Sequence, residues 1–466
     1  MSNEADAMAM AADPSVYFNR SDYHAHHLPP AEVEAMQLAA LQQRFASLRD
    51  RVRVLQATAD EQGIAQVDRL EDGAKLVFPH TVYKSYPVSL LERGRFDQLT
   101  KWLGGLTTVD VSKVDVSGCD SIDAWLDRLE TDTELAISHS SGTGGTISFL
   151  PRPKRDARIK GQVASMSIRD FWGLPADDDS PWYAVTTGYR WGYSEDARAN
   201  RWVVENFTKA EENFFPLNEG RMSADVMFIA GRVRQAEARG ELDRLEISPQ
   251  LRARQAEFEE TQSNAGKAID RMLDTLISLK GKKVYIGGLT NIHTRLAQRG
   301  LAQGMRNLYG ADCILQTGGG GKGVDLPANW LELLCEFTGA SRASQIYGMT
   351  EINLIASKCS AGHYHIPPWI ILYVLDPDSG LPKPRTGIQV GRAAYFDVVP
   401  DSYWGGFVTG DEITAHWDTC ACGRTTPHMD AKIVRYAEKQ DGDDKITCAA
   451  AVDAHSAAIE FLSEAG

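Results

Sequence analysis

Ser140-Ser141-Gly142-Thr143-Gly144-Gly145-Thr146 puts three glycines and four hydroxyl side chains into seven residues. Glycine lets backbone N–H groups approach an anion, and hydroxyls add donors, so the run suits a polyphosphate. It lacks a Gly-Lys-Ser/Thr ending and is therefore not a Walker-type loop. Small polar residues after the short apolar segment 134–138 also fit an ordinary turn. A second kind of chemistry sits near the end of the chain. Cys420 and Cys422 flank Ala421, and Cys359 lies upstream beside His363 and His365. Three thiolates and one imidazole make a Cys3His set, suited to structural zinc.

Three further segments follow the first glycine run. Thr317-Gly318-Gly319-Gly320-Gly321-Lys322-Gly323 is a second glycine-rich turn. Gln345-Ile346-Tyr347-Gly348-Met349-Thr350-Glu351 comes next, then Phe407-Val408-Thr409-Gly410-Asp411. Each alone fits a loop, a strand edge or a β-turn. Residues 186–193 hold Tyr189, Trp191 and Tyr193, and these with His293 are candidates for an apolar acyl pocket or for core packing. His24, His26 and His27 read as surface residues. Cys119, Cys313, Cys335 and Cys448 read as core or incidental residues.

These residues need a frame. Residues 31–75 read as helical, with Val33, Met36, Leu41, Phe45 and Leu48 near helical spacing. Residues 221–280 read as long, partly exposed helices with a solvated charged face. Val284-Tyr285-Ile286-Gly287-Gly288 and Cys313-Ile314-Leu315-Gln316 read as short buried strands with helices between them, which argues for a layered α/β body. Residues 366–415 read as a smaller, mainly antiparallel β region. The 466 residues, 43% of them hydrophobic, allow two or three domains. A net charge of −14 argues against a nucleic-acid partner held by phosphate contacts. No apolar run has transmembrane length, and no secretory signal is visible at the N-terminus. Seven scattered cysteines fit a reducing cytoplasm.

In their order these segments resemble the adenylate-forming superfamily, the acyl-CoA synthetases and their relatives, over residues 78–462. Cys420-Ala421-Cys422-Gly423-Arg424-Thr425-Thr426-Pro427 and Tyr373-Val374-Leu375-Asp376-Pro377-Asp378-Ser379-Gly380 resemble its phenylacetate–CoA ligase branch. The resemblance implies a large layered adenylation domain with a smaller β region. It divides the chain into an N-terminal helical segment (1–77), an α/β core (78–358), a β-rich subdomain with a zinc site (359–435), and a hinge with the remnant of a C-terminal lid (436–466). Ser140, Ser141, Gly142 and Thr143, within the run that ends Gly144, Gly145 and Thr146, would hold the β- and γ-phosphates of ATP. Tyr347, followed by Gly348 and Met349, would stack on adenine, with Gly318, Gly319 and Gly320 on the other face. Thr350 would bind the α-phosphate, Glu351 would help hold Mg²⁺, and Asp411 would bind the ribose hydroxyls. Arg435 would contact ribose or phosphate, and Asp443-Asp444 resembles the hinge. His365 matches the zinc-ligand position of the branch better than His363.

The implied activity is activation of a small-molecule carboxylic acid, aryl or fatty, as acyl-AMP, with transfer to a thiol, first of all coenzyme A. Alternatives are an acyl-protein synthetase that passes the acyl group to a partner protein, and a nucleotide-binding scaffold without catalysis. Two departures from the family stand out. Gly144 replaces a threonine, and Ile147-Ser148-Phe149 replaces a Pro-Lys, with Arg152, Lys154 and Arg155 as the nearest replacement cations. The lid and its lysine are expected to be mostly missing, which a partner protein could supply; a homodimer is a further expectation.

Overall fold

The computed structural model describes residues 2–79, 81–140, 146–178, 180–241, 255–319 and 325–436. Its early strands are β1 (Phe78–Pro79), β2 (Ser138–His139), β3 (Phe149–Leu150), β4 (Tyr183–Gly192) and β5 (Phe214–Met222). Then come β6 (Val284–Leu289), β7 (Cys313–Gly318), β8 (Ser344–Gly348), β9 (Ile355–Ser357) and β10 (His363–His365). The last are β11 (Ile370–Leu375), β12 (Ile388–Asp397), β13 (Gly406–His416), β14 (His428–Asp430) and β15 (Val434–Arg435).

One sheet has six strands in the order β5-β4-β6-β7-β8-β9. All its neighbours are parallel except β8 and β9. A parallel sheet covered on both faces favours continuous apolar strands. Val284, Tyr285 and Ile286 are accordingly all buried. Val284, Ile286 and Leu315 pack against the helices Gln255–Ser278 and Thr290–Ala302, each contributing about 1.5–3 kcal/mol by burial. The other face takes Ala184, Tyr285 and Ile314, beside Ile168 of the helix Lys154–Trp172. Gly173 stops that helix in the left-handed region at φ 67°, where the Leu174 N–H reaches back to the Arg169 carbonyl.

The second sheet has seven strands, with β10-β14-β13-β12-β11 as its main path and β1 and β15 also paired to β13. One face buries Tyr373 and Phe396, with the Trp404 ring 4.5 Å from that of Phe396, and the opposite face buries Tyr395. The N-terminal helices share this core: Leu41 and Phe45 of the helix Pro30–Leu48 lie within it. Arg44 Nε donates to the Val398 carbonyl at 2.8 Å, and Trp404 Nε1 donates to the Leu76 carbonyl at 2.7 Å. The helix Pro30–Leu48 and Leu76 are therefore built against the β-rich sheet. β2 and β3 form a separate antiparallel pair.

The helical reading of residues 31–75 resolves into three helices, Pro30–Leu48, Arg53–Glu61 and Leu70–Ala74. The aromatic patch at 186–193, expected after a strand, lies mostly inside β4. Irregular pairing between Thr186 and Tyr189, and between Tyr189 and Trp191, lets the strand carry it.

Candidate functional site

β2 and β3 set the two ends of the first glycine-rich segment. Ser138 faces Leu150, and His139 faces Phe149. Beyond the pair, the Ser140 N–H donates to the Ser148 carbonyl at 3.2 Å, and Ser140 Oγ accepts from the Ser148 N–H at 3.3 Å. The Tyr86 hydroxyl donates to the Ile147 carbonyl at 2.7 Å. His139 is fully buried, and burial lowers its imidazole to about 4, so it stays neutral. Ser141, Gly142, Thr143, Gly144 and Gly145 lie outside the described residues, as do Gly320 and the Asp443-Asp444 pair.

The second and third segments meet at the carboxyl ends of parallel strands. Thr317 pairs with Gln345 across β7 and β8, so Gly318 and Tyr347 both leave the same sheet edge. Thr290 Oγ1 lies 2.7 Å from Thr317 Oγ1 and donates to the Gly318 carbonyl at 3.0 Å. Gly319 follows at φ 73°, a conformation that favours glycine. The Tyr347 hydroxyl lies 3.0 Å from that of Tyr395 on β12, and its ring packs at 5.8 Å from Tyr364. A side chain of the six-stranded sheet is thus held by the seven-stranded one. At Gly348 a Cβ would lie 2.6 Å from the Leu354 carbonyl, so the turn holding Met349, Thr350 and Glu351 closes only on glycine.

Three charged residues hold that turn from below, a set that sequence reasoning did not assemble. Arg152 follows β3, is buried, and donates to the Thr350 carbonyl at 2.6 Å and to Glu195 at 3.2 Å. Lys160 Nζ donates to the Met349 carbonyl at 2.6 Å and lies 2.8 Å from Glu195 Oε1. Ser194 caps the helix Glu195–Val203 by accepting from the Ala197 N–H, which puts Glu195 in its first turn. Burial lowers the Lys160 ammonium to about 8 against the pull of Glu195. Burial would raise Glu195, but Lys160 and Arg152 outweigh it and hold the carboxyl at about 2. Glu351 is half-buried, and desolvation pushes its carboxyl up, beyond what Lys160 and Arg152 take back. The available signal was Lys160 itself, a lysine between Ile159 and Val163 on the buried face of its helix. None of the replacement cations is idle: Lys154 binds the Thr133 carbonyl, and Arg155 pairs with Asp156.

Asp411 enters from the other sheet. β15 pairs with β13 so that Arg435 faces Asp411, with Arg435 Nε 3.9 Å from Asp411 Oδ1. The Asp411 N–H donates to Thr409 Oγ1, whose hydroxyl donates to the Ala393 carbonyl, each at 3.0 Å.

The thiol set converges. Ligand atoms of Cys359, His365, Cys420 and Cys422 all lie within 4.8 Å of one another, and Cys422 Sγ is 3.3 Å from His365 Nε2. Two tight turns present them: the Gly362 N–H donates to the Cys359 carbonyl, and the Gly423 N–H, at φ 92°, donates to the Cys420 carbonyl. Three sulfurs and one imidazole nitrogen are a donor set that fits tetrahedral zinc. His26, expected at the surface, is instead buried against this loop. Its Nδ1 lies 2.7 Å from Thr426 Oγ1, and its ring lies 5.5 Å from that of His365.

No family model matches the sequence, and no curated protein matches it. Solved structures do. An open conformation of 2-hydroxyisobutyryl-CoA ligase in complex with 2-HIB-AMP and CoA matches with a TM-score of 0.54 and 15% identity, over 88% of this chain and 71% of that one. The same ligase in its thioesterification state matches with a TM-score of 0.53 and 16% identity, over 88% and 70%. The chain has the fold of this ligase.

Within that fold the expected pocket residues lie in different surroundings. Tyr189 packs with Ala197, Met222 and Met227. Trp191 is 49% exposed under the Arg221 guanidinium, which lies 4.8 Å from its ring. His293 is buried beneath the six-stranded sheet, where burial lowers its imidazole to about 4. It lines a cavity of ≈ 10 Å³ with Val185, Ile286 and Leu315, room for about one water molecule and not for an acyl chain. Neither Tyr189 nor Trp191 lines that cavity.

Proposed function

We propose that the chain is an ATP- and Mg²⁺-dependent acid–thiol ligase that forms an acyl adenylate and passes the acyl group to coenzyme A. One observation carries this reading. Gly318, Gly319 and the turn at 347–351 meet at the carboxyl edge of the parallel strands, and Arg152 and Lys160 grip the carbonyls of that turn. Open α/β sheets bind nucleotides outside the carboxyl ends of their strands.

In the first step a carboxylate oxygen of the acid attacks the α-phosphorus of ATP. The bond from that phosphorus to the bridging oxygen breaks, and pyrophosphate leaves. Two anions must meet, so the site has to align them and offset charge. The Thr350 hydroxyl is a donor for the α-phosphate, and the Ser140 segment supplies donors for the β- and γ-phosphates. Glu351 offers a hard oxygen to Mg²⁺, and a carboxylate raised by burial is one that a cation stabilises. Mg²⁺ would supply charge neutralisation of the triphosphate. Tyr347 offers its ring to adenine, and Asp411 accepts from the ribose hydroxyls. In the second step the thiol attacks the carbonyl carbon of the mixed anhydride, and AMP leaves. Cys359, His365, Cys420 and Cys422 hold a structural zinc ion in this reading.

The test is ATP–pyrophosphate exchange by the chain with a panel of aryl and fatty acids, followed by AMP release with and without coenzyme A. Exchange with at least one acid, and AMP release that needs coenzyme A, is expected. No exchange with any acid overturns the reading.

A further inference from the structure

A second cluster lies beside the thiol set and has no part in the proposed reaction. β10, β14 and β13 run side by side. Their register sets His363 opposite Asp430, and His416 opposite His428. Side chains alternate along a strand, so these four residues share one face of the sheet. His416 Nε2 lies 2.9 Å from Asp430 Oδ1, and His363 Nε2 lies 3.6 Å from the same oxygen. The ligand atoms of His363, His416 and Asp430 all fall within 4.8 Å of one another. Ligand atoms about 2.1 Å from one ion stand about 3–3.5 Å apart in a tetrahedral or octahedral shell, and the two imidazole–carboxylate distances, 2.9 and 3.6 Å, bracket that range. The His428 ring stacks on His416 at 8° and 4.9 Å, which fixes the orientation of the His416 imidazole.

We propose that His363, His416 and Asp430 hold a second divalent transition-metal ion, distinct from the ion of the thiol set. Two imidazoles and one carboxylate suit Zn²⁺, Fe²⁺ or Co²⁺ and leave coordination positions for water. All three side chains are half-buried, so solvent reaches the position they enclose. His363 faces both centres. Its Nδ1 lies 3.4 Å from Cys420 Sγ, while its Nε2 faces Asp430, so this imidazole stands between the two ions.

The experiment titrates the metal-stripped full chain with Co²⁺ and reads absorbance together with bound metal. The wild type is expected to bind two equivalents, one with intense thiolate charge transfer and one with weak visible absorption only. His416→Ala and Asp430→Asn are each expected to bind one equivalent and keep the charge-transfer band at full amplitude. Cys422→Ala is expected to lose that band and keep the weakly absorbing equivalent, which separates this site from the thiol centre. A wild type that binds only the charge-transfer equivalent overturns the proposal. Two equivalents retained in both His416→Ala and Asp430→Asn also overturn it.

Discussion

Arg152 and Thr350 are joined by a 2.6 Å hydrogen bond from guanidinium to carbonyl. That bond connects the strand pair at the foot of the first glycine-rich segment to the turn that carries Glu351. That strand pair and the turn are therefore not free to move independently. Removing one partner from a buried ion pair costs about 3–5 kcal/mol where the other charge is left alone. Glu195 keeps Lys160 at 2.8 Å, so the loss here is nearer that of a broken buried hydrogen bond, about 2 kcal/mol. Arg152→Ala is expected to lose stability on that scale in urea unfolding, with pyrophosphate exchange lowered about a hundredfold. Arg152→Lys keeps the charge and loses the planar fork. It should recover much of the stability and little of the exchange. If Arg152→Ala exchanges at the wild-type rate, the connection has no functional role.

Glu195 makes the same cluster sensitive to acid. Lys160 and Arg152 hold its carboxyl at about 2, against an ordinary 4.5. Between those values the unfolded chain takes up a proton that the native chain refuses. The contribution of Glu195 is therefore complete above pH 4.5 and is lost as pH falls through the folded value. Across that window the unfolding constant should rise with acid by up to about tenfold per pH unit from this group. Glu195→Gln is expected to flatten that part of the stability profile, measured by urea midpoints from pH 5 to pH 2.5. An unchanged profile in the variant would assign the acid sensitivity to other carboxylates.

Asp411 offers a cleaner separation of binding from chemistry. Its backbone N–H, not its carboxylate, makes the bond to Thr409, so Asp411→Asn leaves the local turn intact. A hydrogen bond to a charged group is worth about 1.5–3 kcal/mol. The variant should raise KM for ATP by roughly tenfold or more, with kcat changed little. A fall in kcat at unchanged KM would place Asp411 in the chemistry instead.

What could be read from the sequence was local. The strands at Val284 and Cys313 announce themselves by short apolar runs ending in glycine or threonine, and β11 and β12 by β-branched and aromatic residues. The Cys420–Cys422 pair is legible because two ligands on one turn need only the right spacing. Arg152, Lys160 and Glu195 are different. They come from the end of a hairpin, the middle of one helix and the first turn of another, and nothing in the chain marks them as partners. His26 fails in the same way, since its hydrogen-bond partner Thr426 lies 400 residues away. Tyr189 and Trp191 stay inside β4, where the pairing is irregular, and neither lines the cavity beside His293.

Zinc removal should be felt at the other end of the chain. The loop that carries Cys420 and Cys422 is bound to the N-terminal segment at several points. The Thr425 N–H donates to the His26 carbonyl at 2.9 Å, and Thr425 Oγ1 donates to that of Leu28 at 2.6 Å. Arg424 pairs with Asp22 at 3.3 Å and with Asp170 on the helix Lys154–Trp172. An ion that fixes the thiol turns therefore also fixes the surface on which residues 22–28 sit. At free zinc about 1,000 times its Kd, the ion adds about 4 kcal/mol to the folded state. Chelation, or Cys422→Ser, is expected to lower Tm and to speed tryptic cleavage after Arg20 in limited proteolysis. His26→Ala should speed the same cleavage while zinc stays bound, because it removes the side-chain contact of His26 Nδ1 with Thr426 Oγ1 and leaves the ligands. If the stripped protein is cleaved after Arg20 no faster than the zinc-loaded one, the N-terminal segment is held by its own core packing alone.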